Sequence, residues 1–523
     1  IEGQEVVIYA SKFSRKKDQT STVKNISSEE IEILPVEDLG AVINMQAGVV
    51  AGHFRGGRRD EVSYMIDGVP VNDAFGGVSA VSNLEVEAVQ DLEVITGTFN
   101  AEYGNAMSGI VNAVTKDGSN EFHGSFNSGF STYITENKRN GDEVFIGLDP
   151  FGINSNSDLK FSLSGPVIKD RLYFFTNFRT QDVSGHLNGV RRFEVWNLSN
   201  FYDQDSSKWF SENTGDSSFV PMNKGQYSSF MGKLSYNLGS IKLALMLNVN
   251  NSISRGYNHI YKYNPDGRSY GDGTTTLTMF QLNHFLNEKM FYDVKYSITD
   301  NDYGSYVFED YSGYEVLTED GIHQGVYHFA GDTIYNYVSD KYMTAYGTGF
   351  FTGGQDKGHL NRITKTYNFK SDFTWQVTNA HSIKTGFSFI SHELENIDHT
   401  IRNAFAGTSL EADQYKPIVL PDSTVYSDVY GVKPKERSFY IQDKFEKDEI
   451  VINVGLRYDA FDANTTYPSQ RRNPVNASTY YLKNIDGLDS LDSDGNLILD
   501  ESRMSSPIQS KIPYGKSCIN VMV

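Results

Sequence analysis

The sequence predicts a small α+β domain followed by an antiparallel β-barrel of the membrane type, and three observations carry that prediction. Residues 1–118 mix short helix and strand signals, whereas from about Glu121 onward the chain reads as long strands. Along those strands apolar and polar residues alternate with period two. The connections between them are by turns tight and long.

In the first region, Glu5 to Ala10 (EVVIYA) is a short β-like run. Ser27 and Glu30 have capping-box spacing, so a helix is expected to start there and to end near Pro35. Val36 to Met45 continues as a second short apolar-periodic segment. Val62–Ile66, Leu92–Thr96 and Ile110–Thr115 are rich in Val and Ile and read as strands. Gly-rich turns at Gly56-Gly57, Gly76-Gly77 and Gly104–Gly109 separate them.

In the second region, Ile241, Leu243, Leu245, Leu247 and Val249 are apolar at period two, with Lys242, Asn248 and Asn250 in the alternate phase. Met290 to Ile298, Tyr367 to Val377 and Ile450 to Tyr458 repeat the pattern. One face suits hydrocarbon and the other water. A soluble sandwich alternates in the same way, so the connections have to separate the two. Tight ones are expected near 168–170, 239, 287–288, 379–380 and 447–448. Long ones are expected at about 131–157, 182–224, 251–272, 301–358, 398–434 and after 465. Outer-membrane barrels have this asymmetry, with short turns on one side and long loops on the other.

The composition agrees. Mean hydropathy is negative, and no run approaches the roughly 18 apolar residues of a membrane helix. Barrel strands escape such a scan because their two faces average out. Thirty-three Tyr, 33 Phe and 46 Gly against 13 Pro fit a β-rich chain, as they would fit a large secreted β-protein. The net charge of −20 opposes nucleic-acid binding. The single cysteine, Cys518, excludes an internal disulfide framework. The opening residues lack the basic and apolar regions of a signal peptide, and a missing start is the preferred reading over a mature terminus.

The runs EIEILPVEDLGAVINMQAGVV (30–50), FRGGRRDEVSYMIDGVPVND (54–73) and VQDLEVITGTFNAEYGNAMSGIVNAVTKDGSNEFHGS (89–125) resemble the plug of TonB-dependent outer-membrane receptors. SGPVIKDRLYFF (164–175) and FYIQDKFEKDEIVINVGLRYDAF (439–461) resemble hairpins of that family's barrel. The resemblance implies a plug, residues 1–118, inside a barrel of roughly 22 strands, of which 119–523 would supply about eleven. Eleven strands leave edges that lipid does not tolerate, so the barrel is expected to be incomplete. The tail YGKSCINVMV is expected to reflect truncation or a reading-frame error.

The same resemblance implies a location in the Gram-negative outer membrane and a partner, the TonB energy-transducing complex. It also implies an extracellular ligand: an iron chelate, a cobalamin or an oligosaccharide. The alternative is a surface ligand-binding or adhesion barrel without active transport.

Glu5, Val6, Val7, Ile8, Tyr9 and Ala10 are the candidate TonB-contacting segment, since an extended β-branched run can add to a partner's sheet. The run reads equally as a first plug strand. Arg55, Arg58, Arg59, Asp60, Glu61 and, by the family motif, Glu102 are the candidate plug–barrel contacts. Polar contacts suit an interface that must slip better than a greasy seal does. Arg58 and its neighbours also read as ordinary turn solvation, and Glu102 as packing. Asp67-Gly68 reads as a tight turn with a structural role.

The aromatic-dense stretch 301–358 offers Tyr303, Tyr306, Tyr311 and Tyr314 for stacking on a flat ligand, against the alternative that it packs on itself. Asp492, Asp494 and Glu501 have the spacing of a calcium loop, with Ser490 where the first ligand belongs. No cofactor is required by this reading, and no enzyme is expected. His392-Glu393 lacks the second His of a zinc site, Gly515-Lys516-Ser517 lacks its upstream Gly, and no G-x-S-x-G occurs.

Overall fold

The computed structural model describes residues 22–36, 38–75, 84–135, 138–139, 142–148, 156–201, 203–309, 313–317, 323–329, 333–344, 349–405, 408, 417–420, 424–448, 450–468, 509–511 and 517–522. Ser27 caps the first helix. Its Oγ accepts from the Glu30 amide at 3.3 Å, and its own amide donates to Glu30 Oε2 at 3.1 Å. Helix α1 (Ser28–Ile33) follows and ends before Pro35. Asp38 caps α2 (Leu39–Asn44), accepting from the Ala41 amide at 2.7 Å, and α2 buries Leu39, Val42 and Ile43.

Beside the helices lies a five-stranded sheet. Its strands are β1 (Val23–Ser27), β2 (Val62–Ile66), β3 (Val69–Pro70), β4 (Val89–Ile95) and β5 (Gly109–Thr115), in the spatial order β1-β4-β5-β2-β3. The β2–β5 pair is parallel and the others are antiparallel. β1 lies in a stretch where the sequence pattern announces no strand.

A second sheet begins at His123. It holds β6 (His123–Ser131), β7 (Asn156–Ile168), β8 (Leu172–Val183), β9 (Gly225–Leu238), β10 (Ile241–Ser254) and β11 (Tyr270–Asn287). It continues through β12 (Met290–Tyr306), β13 (Gly358–Gln376), β14 (His381–Thr400), β15 (Lys435–Lys447), β16 (Ile450–Asp462) and β17 (Ser517–Met522). Each strand pairs with its sequence neighbour, and all pairs are antiparallel. Ser427–Val432 adds to β14 beside β15. Among the described residues the sheet does not close, and β6 and β17 stand at its two ends.

All five expected tight turns are present, and Asp170, Gly239 and Asp448 adopt positive φ in three of them. β12 runs to Tyr306, so Tyr303 and Tyr306 belong to a strand that extends beyond the expected loop boundary. Seventeen residues exceed the roughly 9–11 that cross a bilayer. Within the long connection that follows, Gly313–Leu317, His323–Phe329 and Thr333–Tyr337 form a small sheet of their own.

The wall is polar where it is buried and apolar where it is exposed. On β10, Leu245 is 50% exposed while Asn248 is 1% exposed, and on β16 Leu456 is 50% exposed while Arg457 is 8%. A water-soluble sheet has the opposite arrangement. The hydrophobic core belongs to the plug, but it does not end at the plug surface. One cluster joins Leu39, Val62, Leu92 and Val111 to Phe175, Met231, Met246, Leu277 and Met279 of the wall. The plug–wall contact is therefore partly apolar, where the sequence reading favours polar contacts. Methionine explains the difference: an unbranched, flexible side chain fills an uneven gap without locking it.

Candidate functional site at the plug–wall interface

The turn between β2 and β3 shows how the plug is attached. Asp67 and Gly68 have φ of 49° and 77°, a two-residue hairpin turn in which both central residues are left-handed. The Asp67 carboxylate accepts from the Thr115 amide at 2.8 Å and the Thr115 hydroxyl at 2.6 Å. It also receives two wall groups, Lys233 Nζ of β9 at 3.3 Å and Gln281 Nε2 of β11 at 3.0 Å. Lys370 Nζ of β13 donates to the Gly68 carbonyl at 3.3 Å. A Cβ at Gly68 would sit 3.2 Å from Lys295 Nζ, so glycine answers both the backbone angle and the close approach.

Lys233 has a side chain only 5% exposed, and it also lies 3.1 Å from Asp117. Lys242 Nζ donates to Asp117 at 2.5 Å and the Ser235 hydroxyl donates at 2.7 Å. Burial pushes the Asp117 carboxyl up, but Lys233 and Lys242 outweigh it and hold the pKa at about 2.

A second anchor joins Glu85 to β8. Arg179 reaches Glu85 at 3.1 Å and forks onto Asp158 of β7 at 2.9 and 2.7 Å. Glu85 is buried, and that burial raises its pKa against the opposing pull of Arg179. A third set surrounds the segment before β5. Glu102 pairs with Lys384 of β14. Arg457 of β16 donates to the carbonyls of Ala101 and Glu102, each at 3.3 Å. Asn105 Nδ2 donates to Glu436 of β15 at 2.7 Å. Higher on the wall, the Arg362 guanidinium lies 5.2 Å from the ring centre of Phe75.

Of the residues read from the sequence as plug–barrel contacts, Glu102 lies against the wall. The others are placed among plug atoms. Arg59 Nε donates to the Ala51 carbonyl at 2.9 Å, and Glu61 accepts from the Arg58 amide at 3.0 Å. The Arg55 guanidinium lies beside Gly97, and Asp60 sits in a short 3-10 turn. The sequence marks Asp67 only as a turn residue and gives no contact role to Glu85, Asp117, Lys233, Arg179, Lys384 or Arg457. The four wall cations do occupy the polar phase of their strands, and that was the available signal.

Tyr303 is 45% exposed and is in register with Arg362. Tyr306 is buried, stacked on His359 at 5.1 Å and edge-on to Tyr270 at 5.3 Å. The backbone of Tyr314 lies in a strand. Tyr311, the segment Glu5–Ala10 and the calcium candidates Asp492, Asp494 and Glu501 lie outside the described residues. Among the described residues no group of three or more His, Cys, Asp or Glu is arranged to hold a metal ion.

Residues 15–110 match the TonB-dependent Receptor Plug Domain family, and residues 197–502 match the Outer membrane beta barrel domain family. The TonB-dependent transporter Oar of Myxococcus xanthus is 38% identical over 127 residues, covering 24% of this chain and 12% of Oar. The probable TonB-dependent siderophore receptor PirA of Acinetobacter baumannii is 29% identical over 182 residues, covering 30% of this chain and 22% of PirA. The fold of P. aeruginosa FpvA, solved with bound pyoverdine, superposes with a TM-score of 0.53 at 12% identity, covering 85% of this chain and 52% of FpvA. The chain thus spans about half of that solved receptor, and its alignments span less of the two relatives. With a plug held by buried ion pairs against a wall that is apolar outside and polar inside, the chain belongs to the TonB-dependent receptors of the Gram-negative outer membrane.

Proposed function

We propose that this receptor imports a scarce ligand too large for general porins, drawing on the inner-membrane proton-motive force through TonB. An iron chelate, a cobalamin or an oligosaccharide fits the reading. PirA is described as a siderophore receptor and FpvA was solved with an iron–pyoverdine complex, which favours the iron chelate. The supporting observation is the attachment of the plug. Asp67, Glu85, Glu102 and Asp117 are tied to wall cations by ion pairs, and such pairs can exchange partners or hydrate as the plug shifts. No chemical step on the ligand is part of this reading.

The test is deletion of Glu5–Ala10 in the full-length receptor, followed by uptake and cell-surface binding of iron chelates. Uptake is expected to disappear while binding persists. Undiminished uptake sinks the import reading, and the surface-binding alternative gains if the intact receptor binds without uptake.

A further inference from the structure

The outer face of the wall changes character towards the ends of its strands remote from the tight turns. Tyr296 of β12, Phe369 of β13 and Phe387 of β14 are each more than one-third exposed on that face. Tyr306, His359 and His399 fall in the same alternation phase of the same three strands, yet all are at most 7% exposed. They belong to one row. Tyr270 is in register with Tyr306, and His359 with His399. Arg255 ends the row on one side, 6.0 Å from the Tyr270 ring centre. Ser427 ends it on the other, in register with His399.

Hydrogen bonding fixes how both imidazoles are protonated. His359 Nε2 lies 2.8 Å from the Glu309 carbonyl. A carbonyl only accepts, so Nε2 carries the hydrogen. The Ser427 hydroxyl donates to the Leu420 carbonyl and lies 3.0 Å from His399 Nδ1. Its one hydrogen is used there, so His399 Nδ1 must donate. Each ring therefore makes its bond as a neutral imidazole, and its other nitrogen is where a second proton enters. The two bonds hold the connections after β12 and after β14. Phe308 and Ile401, beside these anchors in the chain, join Val195 and Tyr337 in a small core of the rim.

Charge decides what acid does to this pair. Directly opposed side chains of antiparallel strands stand about 5 Å apart at Cβ, and like charges there repel. The carboxylates around the row are Glu309, Asp272 and Asp302 near Tyr306, and Asp398 near His399, itself in register with Asp428. Cations flank it as well: Arg255 beyond Tyr270, and Lys357 and Arg402 next to the ends of β13 and β14. Burial and the neighbouring His359 hold His399 below its ordinary value, against the pull of Asp398. The neutral ring is thus favoured in the folded rim. Its stabilisation is present above the unfolded pKa of about 6.5 and is lost as pH falls through the lower folded value.

We propose that His359 and His399 form an acid-released clasp on the rim of the wall: neutral, they hold Glu309 and Ser427 in place, and charged, they let both go. The clasp acts on the rim and holds independently of import.

The test uses the full-length receptor in micelles, with a chelator present so that no metal ion bridges the rings. Proteinase K cleavage after Phe308 and after Tyr426 is located by mass at about pH 7.5 and about pH 5.5, either side of the ordinary histidine value. The comparison is with His359→Gln/His399→Asn, which keeps an N–H donor near each original position and takes up no proton. Relative to this double variant, acid is expected to speed wild-type cleavage at both sites about tenfold, the ratio that about 1.4 kcal/mol produces. Cleavage after Phe210, in the hairpin of Ser199–Asn200 with Phe210–Ser211, should respond to acid alike in both proteins. Parallel responses of the two proteins at Phe308 and Tyr426 overturn the clasp. Should the double variant be cut quickly at both pH values, the wild type decides alone. A rise at Phe308 and Tyr426 no larger than that at Phe210 then overturns the clasp, and a larger one supports it.

Discussion

Lys233 on the wall lies 3.3 Å from Asp67 in the plug, and both side chains are at most 7% exposed. Removing one member of such a pair strands the other in a poorly solvated site. Lys233→Met is expected to destabilise the plug within the receptor by about 3–5 kcal/mol. Asp67→Asn with Lys233→Met should recover much of that loss, because neither partner is then left charged. Urea titration followed by protease cleavage of the plug measures both. A loss no larger than about 0.5 kcal/mol for the single change, typical of a surface position, is the contrary outcome.

Acid should loosen the Asp117 anchor. Its pKa is about 2 in the folded protein, below the ordinary carboxylate value. Its stabilisation is therefore present above the unfolded pKa, near 4, and is lost as pH falls towards 2. Because the side chain is about one-third exposed, the contribution is held to no more than about 2 kcal/mol. The stability difference between wild type and Asp117→Asn should shrink over that window.

Glu85 has the opposite sign. Its raised pKa means that its contribution is present below the unfolded value and falls as pH rises through the folded one. The pH dependence of the wild-type-minus-variant difference should therefore slope one way for Asp117→Asn and the other for Glu85→Gln. Parallel slopes in denaturant titrations at a series of pH values contradict the assignment.

Leu245 sits in the middle of the apolar run of β10 and is half exposed on the outer face of the wall. Leu245→Arg should cost about 2–4 kcal/mol of folding stability in vesicles, as a cation does near the bilayer midplane. Leu245→Ile should be almost silent. Equal behaviour of the two variants in vesicle folding titrations rules out a lipid-facing position.

Much of this architecture was legible in the residue pattern. The capping box at Ser27, the five tight turns and the alternation along β10 and β16 depend on neighbours close in sequence, and local physics decides them. The pairing of Asp67 with Lys233 does not, since a wall strand far along the chain supplies the partner. The methionine contacts were hidden for a related reason. Ala244 and Met246 interrupt the polar phase of β10, and only the plug core packed opposite them explains an apolar residue there. Tyr306 reads as a loop aromatic because nothing nearby marks how far β12 continues above the membrane.

The inverted wall has an energetic consequence. Its greasy residues lie part-exposed on the outer face, so bilayer hydrocarbon stands in for the missing half of a core. In water alone these hairpins have little to gain by closing around the plug. The completed shape is a joint property of polypeptide and membrane, and a change in lipid thickness acts on this molecule much as a core mutation acts on a soluble one.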